Sequence, residues 1–440
     1  MPKHPSALSV FSACGLSKED LERLARQTGF CKRAWAKIKP ADFLACFCKQ
    51  AIHSTVSNND LAAAIENGTG VSASRQAYWL RITGACLAFF QAVLAFAIGV
   101  KVPVTLFVCQ RFRRILIQDS TVIQLPAKLF ACFSGVKNGT ATACNARIQA
   151  IYELRAGRFL QFSIDPYSRN DLLAAPEIPV QPGDLVLRDR GYFILGTIAA
   201  HQAMGVNTIS RYKHKTLLYE LRTRQPLDLL SLLRQCGKVD QIVWAGEEKK
   251  LRLRLVAVPV PEEVANLRRM RAKKEVKGQA PSEEILALMS WSIFITTIED
   301  PSLTPELIMQ LYGLRWRIEN IFKTWKSNFC FDQVHQVSEK QLRLLLTARL
   351  IMLVLAFQGA FVPLCAAVLR HAHKQLSLMK FMRYLSQNPD QLPSLLAANR
   401  WGIRLLNALS RFCTYDQRVR QNFVQGMQAL SAQLPGIPLC

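Results

Sequence analysis

The sequence predicts an α/β protein built on a mixed β-sheet, with helical regions before and after it. Three observations lead there. The 440 residues are 50% apolar and 20% charged, which is material for a packed core of two to four domains and excludes a disordered tail or a disulfide-stapled miniature. Short β-rich runs begin near Phe112 and, from Leu185 onward, alternate with a helical segment, the pattern of a mixed sheet covered by helices. On either side of this region the apolar spacing is helical.

Taken in order, residues 1–75 read as short helices. Ser17 to Gln27 opens with Ser-Lys-Glu-Asp, a capping-box-like start, and Ala41 to His53 follows. Between them Lys32, Arg33, Lys37 and Lys39 interleave with Phe30 and Trp35, which suits either a solvated helix face or a DNA-contacting one. Strands are expected at Ile115–Gln118, Ala146–Leu154, Phe159–Ile164 and Leu185–Leu187, then a helix over Phe193–Met204 and a strand over Val206–Arg211. Three more strands are expected at Gln241–Trp244, Leu251–Val258 and Trp291–Ile298. The charged run Leu267–Lys277 between them, with Arg268, Arg269, Arg271, Lys273, Lys274 and Lys277 against Glu275, fits a solvated helix face or a phosphate-contacting one. After Pro305 the pattern is helical almost continuously to about Gln433, with no internal repeat.

The charge balance is the strongest hint of a partner. Lys and Arg number 56 against 31 Asp and Glu, a net charge of +25; this favours a polyanion, nucleic acid first and an anionic membrane surface second. The 13 Cys residues are scattered, with no CxxC pair; the nearest approach to a zinc spacing is Cys46, Cys48 and His53, so reduced thiols in a cytosolic protein are expected. His371 and His373 read as surface residues. No secretory signal is evident at the N-terminus, so the sequons at Asn67 and Asn138 carry no meaning. Gly84–Val100, interrupted by Gln91, and Leu350–Val362, which carries Gln358 before Pro363, are shorter or more polar than a membrane span of about 20 apolar residues and are expected to be buried core helices.

The chemistry concentrates in Leu311-Tyr-Gly-Leu-Arg-Trp-Arg-Ile-Glu-Asn-Ile-Phe-Lys-Thr-Trp-Lys326. At about 100° per residue, Tyr312, Arg315, Glu319, Lys323 and Lys326 share one stripe of a helix and Leu314, Ile318, Ile321 and Trp325 the opposite side. A carboxylate among cations and a phenol suits a site that holds a metal ion and clamps phosphates, although an amphipathic helix with i,i+4 pairs has the same look. Two further acids follow apolar runs. Asp119 ends Ile115-Leu-Ile-Gln-Asp, and Asp189 ends Leu185-Val-Leu-Arg-Asp, each read as an acid delivered at the carboxyl end of a buried strand; taken singly, either reads first as an N-cap or turn acid, and it is the set of three acids that favours a site.

Tyr312, Arg315, Glu319 and Lys326, at intervals of three, four and seven residues, match the Y-R-E-K signature of the DDE transposases of the IS4 class of bacterial insertion sequences, which this chain resembles over about residues 112–330. Asp119-Ser-Thr and Asp189-Arg-Gly-Tyr-Phe resemble the same family. The resemblance implies an RNase H-like catalytic core with Asp119, Asp189 and Glu319 as catalytic and metal-binding residues for two Mg²⁺ ions, Mn²⁺ being a substitute. It further implies that Tyr312, Arg315, Lys323 and Lys326 meet DNA phosphates. Arg211 and Lys213 would contact DNA near the cleavage point. Trp291 would stack on a flipped base, though a core tryptophan is an equal reading.

The resulting organisation is a helical N-terminal region, 1–75, as a possible end-binding domain; a first part of the core, 76–211; a β-rich insertion, 212–297; a second part of the core with the Glu319 helix, 298–365; and a helical C-terminal region, 366–440. The expected function is cut-and-paste transposition: binding terminal inverted repeats, cleaving at the transposon ends and joining the 3′-hydroxyls to target DNA. The expected partners are double-stranded DNA and a second copy of the chain, without a membrane, in the bacterial cytoplasm with the nucleoid. The alternatives are an RNase H-like nuclease without strand transfer, which would not need Tyr312, Arg315 and Lys326, and an inactive DNA-binding derivative.

Overall fold

The computed structural model describes residues 8–32, 37–52, 57–100, 111–135, 143–169, 175–248, 250–274, 280–397, 401–416 and 422–434. Arg33, Trp35, His53, Asn138, Glu275 and Lys277 lie outside the described residues. The strands are β1 (Ile115–Gln124), β2 (Asn145–Glu153), β3 (Arg158–Pro166), β4 (Leu185–Arg188), β5 (Asn207–Arg211), β6 (Leu218–Glu220), β7 (Val239–Ala245), β8 (Leu251–Pro259) and β9 (Trp291–Thr296). The chain forms two compact units, one of Met1–Leu106, Ser120–Pro176 and Ile318–Val424, the other of Phe107–Asp119, Glu177–Arg317 and Gln425–Cys440.

In the second unit the strands run in the order β1-β4-β5-β9-β8-β7-β6. The first three are parallel, with Ile115 opposite Leu185 and Leu185 opposite Asn207, and the helix Leu195–Ala203 makes the crossover that a parallel β4–β5 pair requires. Ile115–Ile117 and Leu185–Leu187 are buried, as continuous apolar runs in a sheet covered on both faces should be. Arg114 and Asp184, the residues just before β1 and β4, form a two-point ion pair at 3.0 and 2.5 Å that pins the register where the two strands begin. Parallel β1, β4 and β5, with the β2–β3 hairpin inserted in the chain between β1 and β4, give the RNase H-like mixed α/β architecture expected. The antiparallel strands β9, β8, β7 and β6 extend the same sheet through β5–β9 pairing; Leu233, Val243, Leu253, Leu255 and Ile295 form their core.

The first unit is helical around the antiparallel β2–β3 hairpin. Ser17 and Asp20 form the reciprocal capping box that the Ser-Lys-Glu-Asp opening predicts, each backbone amide donating to the other's side chain at 3.1 Å. Phe30 stacks on Phe89 at 5.4 Å, so this aromatic belongs to the core. Glu339–Ala372 is one helix of 34 residues, long and apolar enough to cross a membrane by length and composition, yet 83% of its most apolar window is buried inside the protein. It becomes a π-helix over Leu355–Phe361. There the buried Gln358 accepts from the Phe159 amide at 3.2 Å and donates to the Ala97 carbonyl at 2.8 Å, a wide turn taken where a polar side chain must reach two neighbours. Leu350–Val362 is therefore the core helix expected.

Two expectations need correction, and three short elements were not foreseen. β1 does not end at Gln118: Thr121 and Ile123 are buried, so the alternation continues to Gln124 and Asp119 lies inside the strand. The chain is not continuously helical through the signature segment, because one helix, Pro305–Gly313, stops and another, Trp316–Phe329, begins after a two-residue turn at Leu314 and Arg315. β6 and the helices Leu229–Cys236 and Glu283–Leu288 are too short to leave a readable period.

Candidate active site

The register of β1 and β4 builds the site. Their last paired residues are Gln118 and Arg188, so Asp119 and Asp189 are the next residues of two neighbouring parallel strands and stand side by side. Asp119 continues in its strand, whereas Asp189 leaves β4 with extended backbone and begins the turn Arg190–Tyr192. Between the two carboxylates stands Arg315. Its Nη1 donates to Asp119 Oδ2 at 2.8 Å and its Nη2 lies 3.9 Å from Asp189 Oδ1. The Arg315 and Asp119 side chains are 6% and 13% exposed, that of Asp189 48%. One carboxylate is thus fixed and nearly dry, the other half-open.

The break between the two helices delivers Arg315. Its amide donates to the Tyr312 carbonyl at 3.0 Å, which closes the turn. Tyr312 is 2% exposed and packs on Phe294 at 5.1 Å, with the guanidinium groups of Arg211 and Arg315 5.7 and 5.6 Å from its ring centre. Burial pushes the Tyr312 phenol up, and Arg315 pulls it the other way. Tyr312 and Arg315 are therefore not on a solvated stripe. The opposite side of the segment behaves as the spacing predicts: Leu314, Ile318, Ile321 and Trp325 are all buried.

The remaining signature residues lie in the first unit. Glu319 is half-buried on the first turn of the Trp316–Phe329 helix and Lys323 is exposed. Lys326 is half-buried, donates to the Val122 carbonyl of β1 at 2.7 Å, and is pushed down by burial. This lysine is tied to the protein's own backbone.

Back in the second unit, Arg211, Arg268, Arg271, His214 and Trp291 line a cavity of about 320 Å³. Lys213 is exposed just after β5. Trp291 heads β9, donates from its indole to the Gly237 carbonyl at 2.6 Å and packs on the hydrophobic core of the antiparallel strands. Sequence reasoning missed the part played by Arg268. It donates to the Trp291 carbonyl at 3.1 Å and to Ser292 Oγ at 3.0 Å, so it fixes the start of β9; burial first, and Arg211 second, push it down. A basic run in sequence gives no signal of such a tie.

Among the described residues, no three His, Cys, Asp or Glu side chains gather as a set able to hold a metal ion. The Asp119–Asp189 pair does have the right donor chemistry: two hard carboxylates aimed at one shared cation, the kind of oxygen pair that Mg²⁺ takes.

Residues 110–355 match the family described as the transposase DDE domain. The chain belongs to that family: it is a DDE transposase, an enzyme that acts on DNA and whose class uses a divalent metal. Among its relatives are the transposases for insertion sequence elements IS231D and IS231E of Bacillus thuringiensis subsp. finitimus. They are 28% and 29% identical over 396 and 405 residues, covering 83% and 84% of this chain and 80% and 81% of theirs. The transposase for IS1151 of Clostridium perfringens is 27% identical over 71% of each chain. The resemblance to the IS4 class is thereby borne out. A solved synaptic complex of piggyBac transposase with hairpin DNA aligns at a TM-score of 0.42 and 9% identity, over 95% of this chain and 87% of that one, too slight a likeness to carry an argument.

Proposed function

We propose that this transposase binds the terminal inverted repeats of its element, hydrolyses a phosphodiester at each end, and joins the freed 3′-hydroxyls to target DNA, working as a homodimer on double-stranded DNA. The single observation that supports this most is the pair Asp119 and Asp189, brought level by the β1–β4 register and sharing one cationic group. Glu319 is the third acid of the reading, on the first turn of the Trp316–Phe329 helix and four residues after Arg315 in the chain. Bound to these three acids, Mg²⁺, or Mn²⁺ in its place, would lower the pKa of an attacking water and stabilise the leaving oxygen.

The residues divide the remaining work. Asp119, held rigidly in its strand, fixes position; Asp189, half-open, can adjust as the nucleophile changes from water to a DNA hydroxyl. Arg315 meets the reacting phosphate only by releasing Asp119, and the Tyr312 phenol only by leaving its buried place on Phe294; Arg211 and Lys213 take the backbone beside it. Lys323 is free to reach a phosphate from the exposed side of its helix, and Lys326 must leave the Val122 carbonyl to do so. Trp291 stacks on a displaced base only if its indole gives up Gly237. Residues 1–75 supply end recognition in this reading.

The test is cleavage of a labelled duplex carrying the element's terminal repeat, in Mg²⁺ or in EDTA. Nicking at the repeat boundary is expected with Mg²⁺ and wild type, and a loss of at least about 1,000-fold, the scale of electrostatic transition-state terms, with Asp189→Asn or Glu319→Gln while end binding persists. Sustained cleavage by either variant removes that residue from the triad. Nicking without joining to a target plasmid would favour the nuclease reading.

A further inference from the structure

Arg315 has two calls on one guanidinium. The reading above gives it a DNA phosphate, yet it is committed to Asp119 at 2.8 Å and stands 3.9 Å from Asp189. Its backbone is fixed by the turn between two helices, so only the side chain can move. In that same position the side chain also borders a surface aromatic. The guanidinium lies 5.5 Å from the ring centre of Trp316, and that ring is 52% exposed at the surface.

We propose that Arg315 is the internal counter-cation of the Asp119–Asp189 pair, so that divalent metal and guanidinium compete for the same carboxylates and DNA must draw Arg315 away before metal binds tightly. The inference rests on the metal-ligand roles proposed above for the two aspartates. Its physical basis is direct. Two adjacent carboxylates, one nearly dry and one half-open, repel one another, and one cation between them relieves that repulsion. A divalent ion arriving at the same oxygens meets a buried positive charge at contact distance. A phosphate placed over Trp316 offers the guanidinium a charge-assisted partner of equal quality and removes the competitor. Metal and DNA affinity are then thermodynamically linked, each raising the other by the same factor. The consequence is a transposase whose hydrolytic site is switched off by its own side chain until it holds DNA.

Mn²⁺ binding measured by electron paramagnetic resonance on the full chain tests this without any turnover. DNA-free wild type is expected to bind Mn²⁺ weakly and to tighten about tenfold when a terminal-repeat duplex is added, within the usual range of coupling between two sites. Arg315→Gln, shown to be folded by its thermal melt, is expected to bind Mn²⁺ about tenfold more tightly than wild type without DNA and to gain little more when DNA is added. Arg315→Lys, which keeps the charge, is expected to stay weak. Equal DNA-free affinity in wild type and Arg315→Gln overturns the proposal. If Arg315→Gln does not fold, the wild-type measurement decides alone: no change in Mn²⁺ affinity on adding DNA overturns it. Asp119→Asn separates the two levels, because unchanged Mn²⁺ affinity in that variant with DNA bound would instead remove the aspartate from the metal site.

Discussion

Two buried arginines with the same side chain do opposite kinds of work. Arg349 is 1% exposed and gives its Nε to the Ala51 carbonyl at 2.7 Å and its Nη1 to the Phe331 carbonyl at 3.2 Å; burial pushes it down to about 10, where it stays charged at neutral pH. Both of these acceptors are backbone carbonyls. Arg349→Met should therefore leave two carbonyls unsatisfied and lower unfolding free energy by about 2–4 kcal/mol. A chemical denaturation curve checks this, and a variant as stable as wild type would show that the two bonds contribute nothing net. Arg315, in contrast, bonds carboxylates that have other business. Asp119 and Asp189 were legible in sequence because each follows a short apolar run. The cation between them was not, since nothing in the spacing of Tyr312, Arg315, Glu319 and Lys326 says which partner each meets across the fold. Arg268 was hidden for the same reason: a tie to the Trp291 carbonyl is invisible until β9 is placed.

At the scale of elements, strands with a strong apolar period were readable to within a few residues, and what failed were the ends. β1 ran on past Asp119 because Thr121 and Ile123 kept the burial alternating, and the helix break is marked in sequence by Gly313 at the end of the first helix, a signal that the apolar period running through the segment outweighed. The crossover helix Leu195–Ala203 carries a further consequence. His201 on it is 7% exposed, with Nδ1 3.4 Å from Thr208 Oγ1; burial first, and the nearby Arg188 second, push its pKa from 6.5 down to about 4. Between those two values the unfolded chain binds a proton that the folded chain refuses, so stability falls as pH falls. The contribution of neutral His201 is complete above pH 6.5 and is lost as pH drops toward 4. Thermal melts at a series of pH values should show wild type losing more stability than His201→Gln across that window; parallel curves would mean that His201 titrates normally.

For the whole molecule, a net charge of +25 on 440 residues has to be reconciled with a substrate that is a polyanion, and the question is which cations meet it. Arg269 is already occupied, bonding Ser290 Oγ at 2.5 Å and Glu262 at 2.7 Å, and Arg268 holds β9. Arg271, Lys273 and Lys274 on the last turn of the Glu262–Lys274 helix are exposed. Exposed lysines and arginines at a helix C-terminus are also what the helix dipole favours, so their presence alone does not make them DNA contacts. Salt separates the two roles. Each phosphate neutralised releases counterions and steepens the fall of log affinity with log salt by about 0.9. Replacing all three with Gln should flatten that slope by about 2 to 3 if the helix end lies along DNA, with cleavage of bound DNA unaffected. An unchanged slope would make this helix end a solvated face, and would move the phosphate contacts of the second unit to Arg211 and Lys213 after β5.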